Sequence, residues 1–135
     1  MALPGFPESR FVEMIFPEQA NHYGTLFGGT ALNLMGKAAF VAATRAARHA
    51  VVMAASERID FRVPVKVGQM VELVARVERI GRSSMTVAVE MHAESPVSGE
   101  RCLAIQGCFA MVAVDADGRP VPVVAAPIPL TNKDA

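Results

Sequence analysis

The sequence has no tryptophan, one tyrosine and two cysteines in 135 residues. Two cysteines are too few for a disulfide framework, and there is no second pair to complete a zinc site. Cys102 and Cys108 both fall in an apolar stretch, so they are expected as core thiols of a reducing compartment. Charge of one sign is not in excess: 13 basic residues balance 13 acidic ones. That balance excludes a partner held chiefly through phosphates, such as nucleic acid, and a polybasic membrane-surface role. No apolar run approaches the roughly 18 residues that a membrane span needs. The first ten residues, MALPGFPESR, lack a basic segment followed by an apolar one, so no secretory signal is expected and the cytoplasm is the expected location.

The usual catalytic signatures are also missing. There is no nucleophile elbow, no P-loop and no dinucleotide-binding glycine pattern. His22, His49 and His92 show no metal-ligand spacing, because no two lie three or four residues apart. No metal is expected.

What is present is apolar: 52% of residues are hydrophobic and 19% charged. One domain of this size buries enough surface to fold without staples. The sparse charge suggests that some apolar surface is covered by self-association. Residues 1–10, with Pro4, Gly5 and Pro7, are expected as a flexible leader. Phe11 to Phe16 is a short apolar run stopped by Pro17. Residues 18–29 are polar and glycine-rich. From Thr30 to about His49 apolar and small residues recur at helical spacing: Leu34, Met35, Ala38, Ala39, Ala42 and Ala43. Thr30 is expected to cap this helix, and Arg45, Arg48 and His49 suit its C-terminal dipole.

Beyond Ala50 the period becomes two. Met53, Ala55, Glu57, Ile59, Phe61 and Val63 are expected on one strand face, with Ser56, Arg58, Asp60 and Arg62 on the other. Three further alternating runs follow, centred on Val71 to Val77, Met85 to Ala93 and Leu103 to Ala113. The last is apolar on both faces, which marks a central or covered strand. Residues 120–135 form a proline-rich tail, which leaves a single domain over 11–119. Short links favour antiparallel pairing. The expectation is an α+β domain in which a curved sheet of about five strands wraps one long helix.

Chemistry is concentrated before the helix, in Asn21-His22-Tyr23-Gly24-Thr25-Leu26-Phe27-Gly28-Gly29. Free N–H groups at a helix start attract negative charge, and glycines let a ligand approach the backbone. Such donors can polarise a carbonyl. The same glycines would also serve a tight loop with no chemistry.

Four segments, NHYGTLFGGTALNLM, IDFRVPVKVGQMVEL, RIGRSSMTVAVEMHAE and GCFAMVAVDADGRPVPV, together resemble the hotdog-fold acyl-CoA thioesterases of the broad-specificity bacterial and cytosolic type. The resemblance runs from about Glu13 to Val123. It implies a hotdog domain paired as a double hotdog, with dimers assembling into a hexamer and active sites between subunits. It implies hydrolysis of acyl-CoA to free fatty acid and CoA, with no cofactor, since CoA is part of the substrate. Asn21 is then expected to orient water or thioester, and the Gly29 amide to polarise the thioester carbonyl. Gly81, Arg82, Ser83 and Ser84 match the stretch that contacts the nucleotide and phosphate part of CoA. By themselves these four residues also read as an exposed hairpin turn.

The departure from the family that matters most is on the helix. Members carry an acidic residue on the helix seven positions after the second glycine, acting as base or nucleophile; here that position is Gly36. Glycine inside a helix costs about 1 kcal/mol relative to alanine, so it is not there for helix stability. One explanation is that the carboxylate is lost, leaving reduced activity, a non-catalytic acyl-CoA binding protein or a structural hotdog protein. The other is that a second carboxylate serves, with Glu57 the candidate because its parity puts it on an apolar strand face. Glu57 can equally be a strand glutamate paired with Arg45 or Arg48. Asn33 and His22 are nearby polar groups of lesser promise.

Overall fold

A computed structural model describes residue 6 and residues 8–123. Strand β1 spans Ser9–Met14, followed by a 3-10 turn at Pro17–Gln19 and helix α1 at Gly28–Ala47. Strands β2 (Val51–Phe61), β3 (Met70–Ile80), β4 (Ser84–Glu94) and β5 (Arg101–Ala113) complete the chain order. All pairings are antiparallel, and the sheet order is β1-β3-β4-β5-β2. The α+β arrangement is the expected one.

The core lies between the helix and the concave face of the sheet. Ala31, Leu34, Met35, Ala38, Ala39, Ala42, Ala43, Ala46 and Ala47 form the buried helix stripe. Their small side chains bring the helix axis close to the sheet, where Val71, Leu73, Val87, Val89, Phe109 and Met111 are buried. Strand β4 alternates perfectly between buried and half-buried residues, as a strand with one covered face must.

Several expectations are corrected. The leader ends earlier, because Ser9 and Arg10 already pair with Ala75 and Val74 of β3. Residues 120–123 belong to the domain: Val121 N–H donates to Ala113 O, and Val123 N–H to Arg82 O. The rest of the proline-rich segment, 124–135, lies outside the described residues, as do 1–5 and 7. The helix starts two residues before Thr30, with Phe27 at the N-cap and no side-chain cap. It ends at Arg48, whose left-handed φ of 48° closes it. Cys102 is exposed and Cys108 half-buried, so neither is a core thiol. Burial raises the Cys108 thiol pKa, assisted by the Glu78 charge.

The convex face carries an ion-pair row. Arg76 pairs with Glu8 and Glu90, and Arg101 with Glu72 and Glu94. Arg76 holds the Glu8 carboxyl below the usual carboxylate range, and Arg101 does the same for Glu72. A depressed carboxylate adds stability above its unfolded pKa, about 4.3 for glutamate, and loses it as pH falls through the folded value. Melting temperature should therefore drop between about pH 5 and 3. In thermal melts Arg76→Ala should show a shallower drop, since Glu8 then titrates nearer its unfolded value.

Candidate functional site

The segment before α1 is built by hydrogen bonds to two other loops. Leu26 N–H donates to Val65 O at 2.7 Å, Val67 N–H to Gly24 O at 3.1 Å, and Phe27 N–H to Gln19 O at 3.0 Å. At its centre, Asn21 Oδ1 accepts from Tyr23 N–H (2.9 Å), Thr25 N–H (3.2 Å) and the Thr25 hydroxyl (3.2 Å). The oxygen is thus consumed in holding the turn. Only the Nδ2 amide group remains to act on a ligand, and it can only donate. Asn21→Asp keeps the accepting oxygen and loses those donors. Its melting temperature should stay near that of the parent while any activity that uses those donors falls by about tenfold or more. Asn21→Ala should lower both.

Gly28 and Gly29 open the helix. The first intrahelical bond is Ala31 N–H to Phe27 O at 2.9 Å, so the N–H groups of Gly28, Gly29 and Thr30 have no partner within the helix. Gly29 is exposed at the open start of the helix, between half-buried Gly28 and Thr30. These donors, reinforced by the helix dipole, can stabilise an oxyanion. A Cβ at Gly29 would stand 2.7 Å from the Phe27 ring, so glycine also lets Phe27 fold over the helix start. His22 stacks on Tyr23 with ring centroids 3.9 Å apart, at an exposed position of the loop.

Two turns into the helix, Gly36 is buried and borders a groove of about 450 Å³. The lining is Leu32, Asn33, Gly36, Lys37, Phe40, Val41 and Met53, and it is overwhelmingly apolar. Leu32, Gly36 and Phe40 recur every four residues, on the flank of the core stripe, and this repeat is the sequence signal that could have revealed the groove. Asn33 lies within it, one turn before Gly36.

Glu57 does not belong to this site. Two bulges interrupt β2, between Met53 and Ala55 and between Glu57 and Asp60. Met53 stands opposite Met111 and Phe61 opposite Ile105, on the helix side, but Glu57 stands opposite Cys108 on the convex side. Each bulge inverts the parity on which the expectation rested. Arg58, within the second bulge, has a positive φ of 54°. Nor does Arg45 pair with Glu57; it donates to Ser9 Oγ at 3.1 Å.

Gly81, Arg82, Ser83 and Ser84 form the β3–β4 hairpin. Gly81 N–H donates to Ser84 O at 2.7 Å, and Ser83 O accepts from Ala113 N–H at 2.9 Å. Arg82 is exposed. This turn adjoins the end of β5 at Ala113, whereas the helix start adjoins Phe61, which pairs with Ile105. The strand from Ile105 to Ala113 spans about 26 Å at about 3.3 Å per residue. Within one chain, therefore, the hairpin and the Asn21–Gly29 segment stand at opposite ends of the sheet.

A single helix embraced by a five-stranded antiparallel sheet, with a glycine-opened helix start and an adjoining apolar groove, defines a hotdog-fold domain. The description "thioesterase superfamily" matches residues 23–100. The chain belongs to that superfamily. An uncharacterized acyl-CoA thioester hydrolase of Zymomonas mobilis is 37% identical, over 91% of this chain and 81% of its own length. A hexameric acyl-CoA thioesterase solved without ligand superposes with a TM-score of 0.84 at 36% identity, covering 93% of this chain and 80% of that one. An acyl-CoA hydrolase of Staphylococcus aureus, solved with butyryl-CoA and CoA, gives a TM-score of 0.82 at 31% identity, over 87% and 72% of the two chains. That hydrolase has also been solved as three alanine variants. The positions replaced are an asparagine, an aspartate fifteen residues after it and a threonine seventeen residues further on.

Proposed function

We propose that this protein hydrolyses acyl-CoA thioesters to free fatty acid and CoA, at a rate limited by the missing helix carboxylate. The observation that carries this reading is the glycine-opened start of α1, with N–H donors unpaired within the helix next to the Asn21 turn. The thioester carbonyl oxygen lies against the Gly29 N–H, and Asn21 Nδ2 donates to the carbonyl or to the attacking water. Water adds to the carbonyl carbon, the C–S bond breaks, and the proton released from water ends on the CoA thiolate. The reaction draws on water and the chain's own donors, with no cofactor.

Placed on Asn21, the spacing of the three positions altered in the Staphylococcus aureus hydrolase falls on Gly36 and Met53. No carboxylate occupies the helix position. Loss of a general base costs about a hundred- to ten-thousand-fold in rate. Carbonyl polarisation and positioning remain.

The CoA moiety is assigned to Gly81, Arg82, Ser83 and Ser84 of a second subunit, because the hairpin of the same chain is at the far end of the sheet. Strand β2 is the sheet edge and is exposed along almost its whole length; Met53 lines the groove with Leu32 and Phe40 of the helix, and Val52 and Phe61 are exposed as well. An exposed edge strand of eleven residues, apolar over its first five, is a pairing surface. A dimer through β2, assembling further to a hexamer, is expected in light scattering. None of the described helices is long and apolar enough to cross a membrane. The two free thiols suit a reducing compartment, and we assign the protein to the cytoplasm.

The test is thiol release from short, medium and long acyl-CoAs at high protein concentration. Slow, catalytic release supports the reading. Tight binding without any release would favour an acyl-CoA binding protein, for which Gly36 is the specific motive. A ligand at a hundred times its Kd adds about 2.7 kcal/mol of stability. No melting shift with any CoA ester would leave only a structural role.

A further inference from the structure

The helix that carries Gly36 has no acidic residue, and its only charged side chains are Lys37 and Arg45. Arg45 sits in the last turn and donates to Ser9 Oγ at 3.1 Å. Lys37 lines the groove beside Gly36, together with Asn33. Among the described residues neither of these two side chains has a hydrogen-bond or ion-pair partner. The rest of the lining is apolar, and the first five residues of β2, Val51 to Ala55, bring no charge to the facing wall. The groove of about 450 Å³ thus holds one unbalanced positive charge and one amide in apolar surroundings.

Asn33 lies one turn before Gly36 and Lys37, so the amide and the ammonium border a position that has no side chain. A Cβ on Gly36 would meet only the Met53 methyl within 4 Å, at 3.0 Å. The space over Gly36 is therefore open apart from the end of one flexible side chain. An anionic oxygen placed there accepts from Asn33 Nδ2 and Lys37 Nζ, and charge-assisted hydrogen bonds of this kind are the stronger class. Helix rise puts Asn33 about 6 Å and Lys37 about 12 Å along the axis from Gly29, whose N–H is assigned to the thioester carbonyl. The anion must then sit about one to two helical turns from that carbonyl, at the far end of an acyl chain.

We propose that the groove selects acyl-CoA thioesters whose acyl chain ends in a second carboxylate, held over Gly36 by Lys37 and Asn33. This rests on the acyl-CoA reading above and names the substrate class within it. The alkyl part of the chain lies along Leu32, Phe40 and Met53. A chain of the same length ending in a methyl group leaves the ammonium and the amide without an acceptor in the groove, a loss that grows as water is displaced. A side-chain carboxylate at position 36 would claim the same donors, so the glycine is what leaves them to the substrate.

The experiment compares adipoyl-CoA with hexanoyl-CoA, whose acyl chains have the same number of carbons, on the full-length protein. Thiol release gives kcat/KM, and thermal shift gives Kd even where turnover is slow. The parent should prefer adipoyl-CoA by about tenfold or more in both. Raising the ionic strength should shrink that preference, because Lys37 is exposed. Lys37→Arg should keep most of it. Lys37→Met should bring it to within about threefold of unity, and Asn33→Ala should reduce it by a smaller factor. Lys37→Glu and Gly36→Asp should invert it, since each puts a carboxylate beside the place of the substrate's own.

Lys37 is exposed, so its variants leave the fold intact. A parent that treats the two thioesters alike, or prefers hexanoyl-CoA, overturns the proposal. So does a preference for adipoyl-CoA that survives Lys37→Glu, which would place the second carboxylate elsewhere. Either result leaves acyl-CoA hydrolysis standing. Absence of both release and binding with the two thioesters would instead overturn the acyl-CoA reading itself.

Discussion

Gly29→Pro should reduce kcat for acyl-CoA hydrolysis by about a hundred- to a thousandfold, the loss expected when one oxyanion donor is deleted. Proline removes the N–H and nothing else that the helix needs. The Gly29 N–H precedes the first intrahelical bond, made by Ala31 N–H, so no backbone bond of the helix is lost. Proline is tolerated in a first helical turn, where its φ is already suitable. Its ring does bring a Cβ to within 2.7 Å of the Phe27 ring. Phe27 is 56% exposed and can turn outward. Gly29→Ala makes the same contact and keeps the N–H. Alanine should therefore remain within a few fold of the parent, and the alanine-to-proline ratio isolates the donor. Equal rates for the two variants would show that the carbonyl is polarised by another group.

Phe109→Ala should destabilise the fold by about 3–5 kcal/mol, and at a few degrees per kcal/mol melting temperature should fall by about 10 °C or more. Phe109 is among the largest fully buried side chains, 1% exposed. It stands in β5 between Val87 of β4 and Ser56 of β2, so its ring fills the middle of the sheet's concave face. Neighbours on two strands cannot collapse into the space without breaking the ladder, so most of the cavity persists. Phe109→Leu should cost far less. Protomer concentration must be held constant, because association through β2 would make melting temperature depend on it. A loss under about 1 kcal/mol for alanine would mean that the site can close up.

The helix start and the hairpin at residues 81–84 occupy opposite ends of one sheet, so under the proposed assignment of that hairpin to CoA a complete site would need two chains. Under that assignment, variants at Arg82 and at Gly29 of the same chain would affect different sites of a dimer. The groove at Gly36 opens beside the β2 edge, where a second chain would complete its wall.

Much of the fold is legible in the sequence alone. The helix is legible because its apolar residues recur at helical spacing and its interior lacks proline. Strands β3, β4 and β5 are legible because their residues alternate along each run. The Asn21–Gly29 segment stands out because glycines and an amide gather at a helix start. The vacancy at Gly36 is equally plain, since a helix-interior glycine has no local reason to be there.

Other features are decided by tertiary contacts. Glu57 lies on the convex face because two bulges in β2 each add a residue, and bulge positions depend on what β5 presents opposite. Gly107 of β5 has no side chain, and Ile59 fills that space: a Cβ there would stand 2.2 Å from Ile59 Cδ1. No period in β2 alone encodes that. The helix begins at Gly28 rather than Thr30 because Phe27 and Gln19 hydrogen-bond across the loop and set the entry. Asn21 is left as a donor only because its oxygen is used by Tyr23 and Thr25. Met53 neighbours Gly36, far from it along the chain, because the sheet curls its edge strand over the helix. Local sequence determines period and propensity. Which atoms meet across a groove is determined by cross-strand register, and register is a property of the folded sheet as a whole.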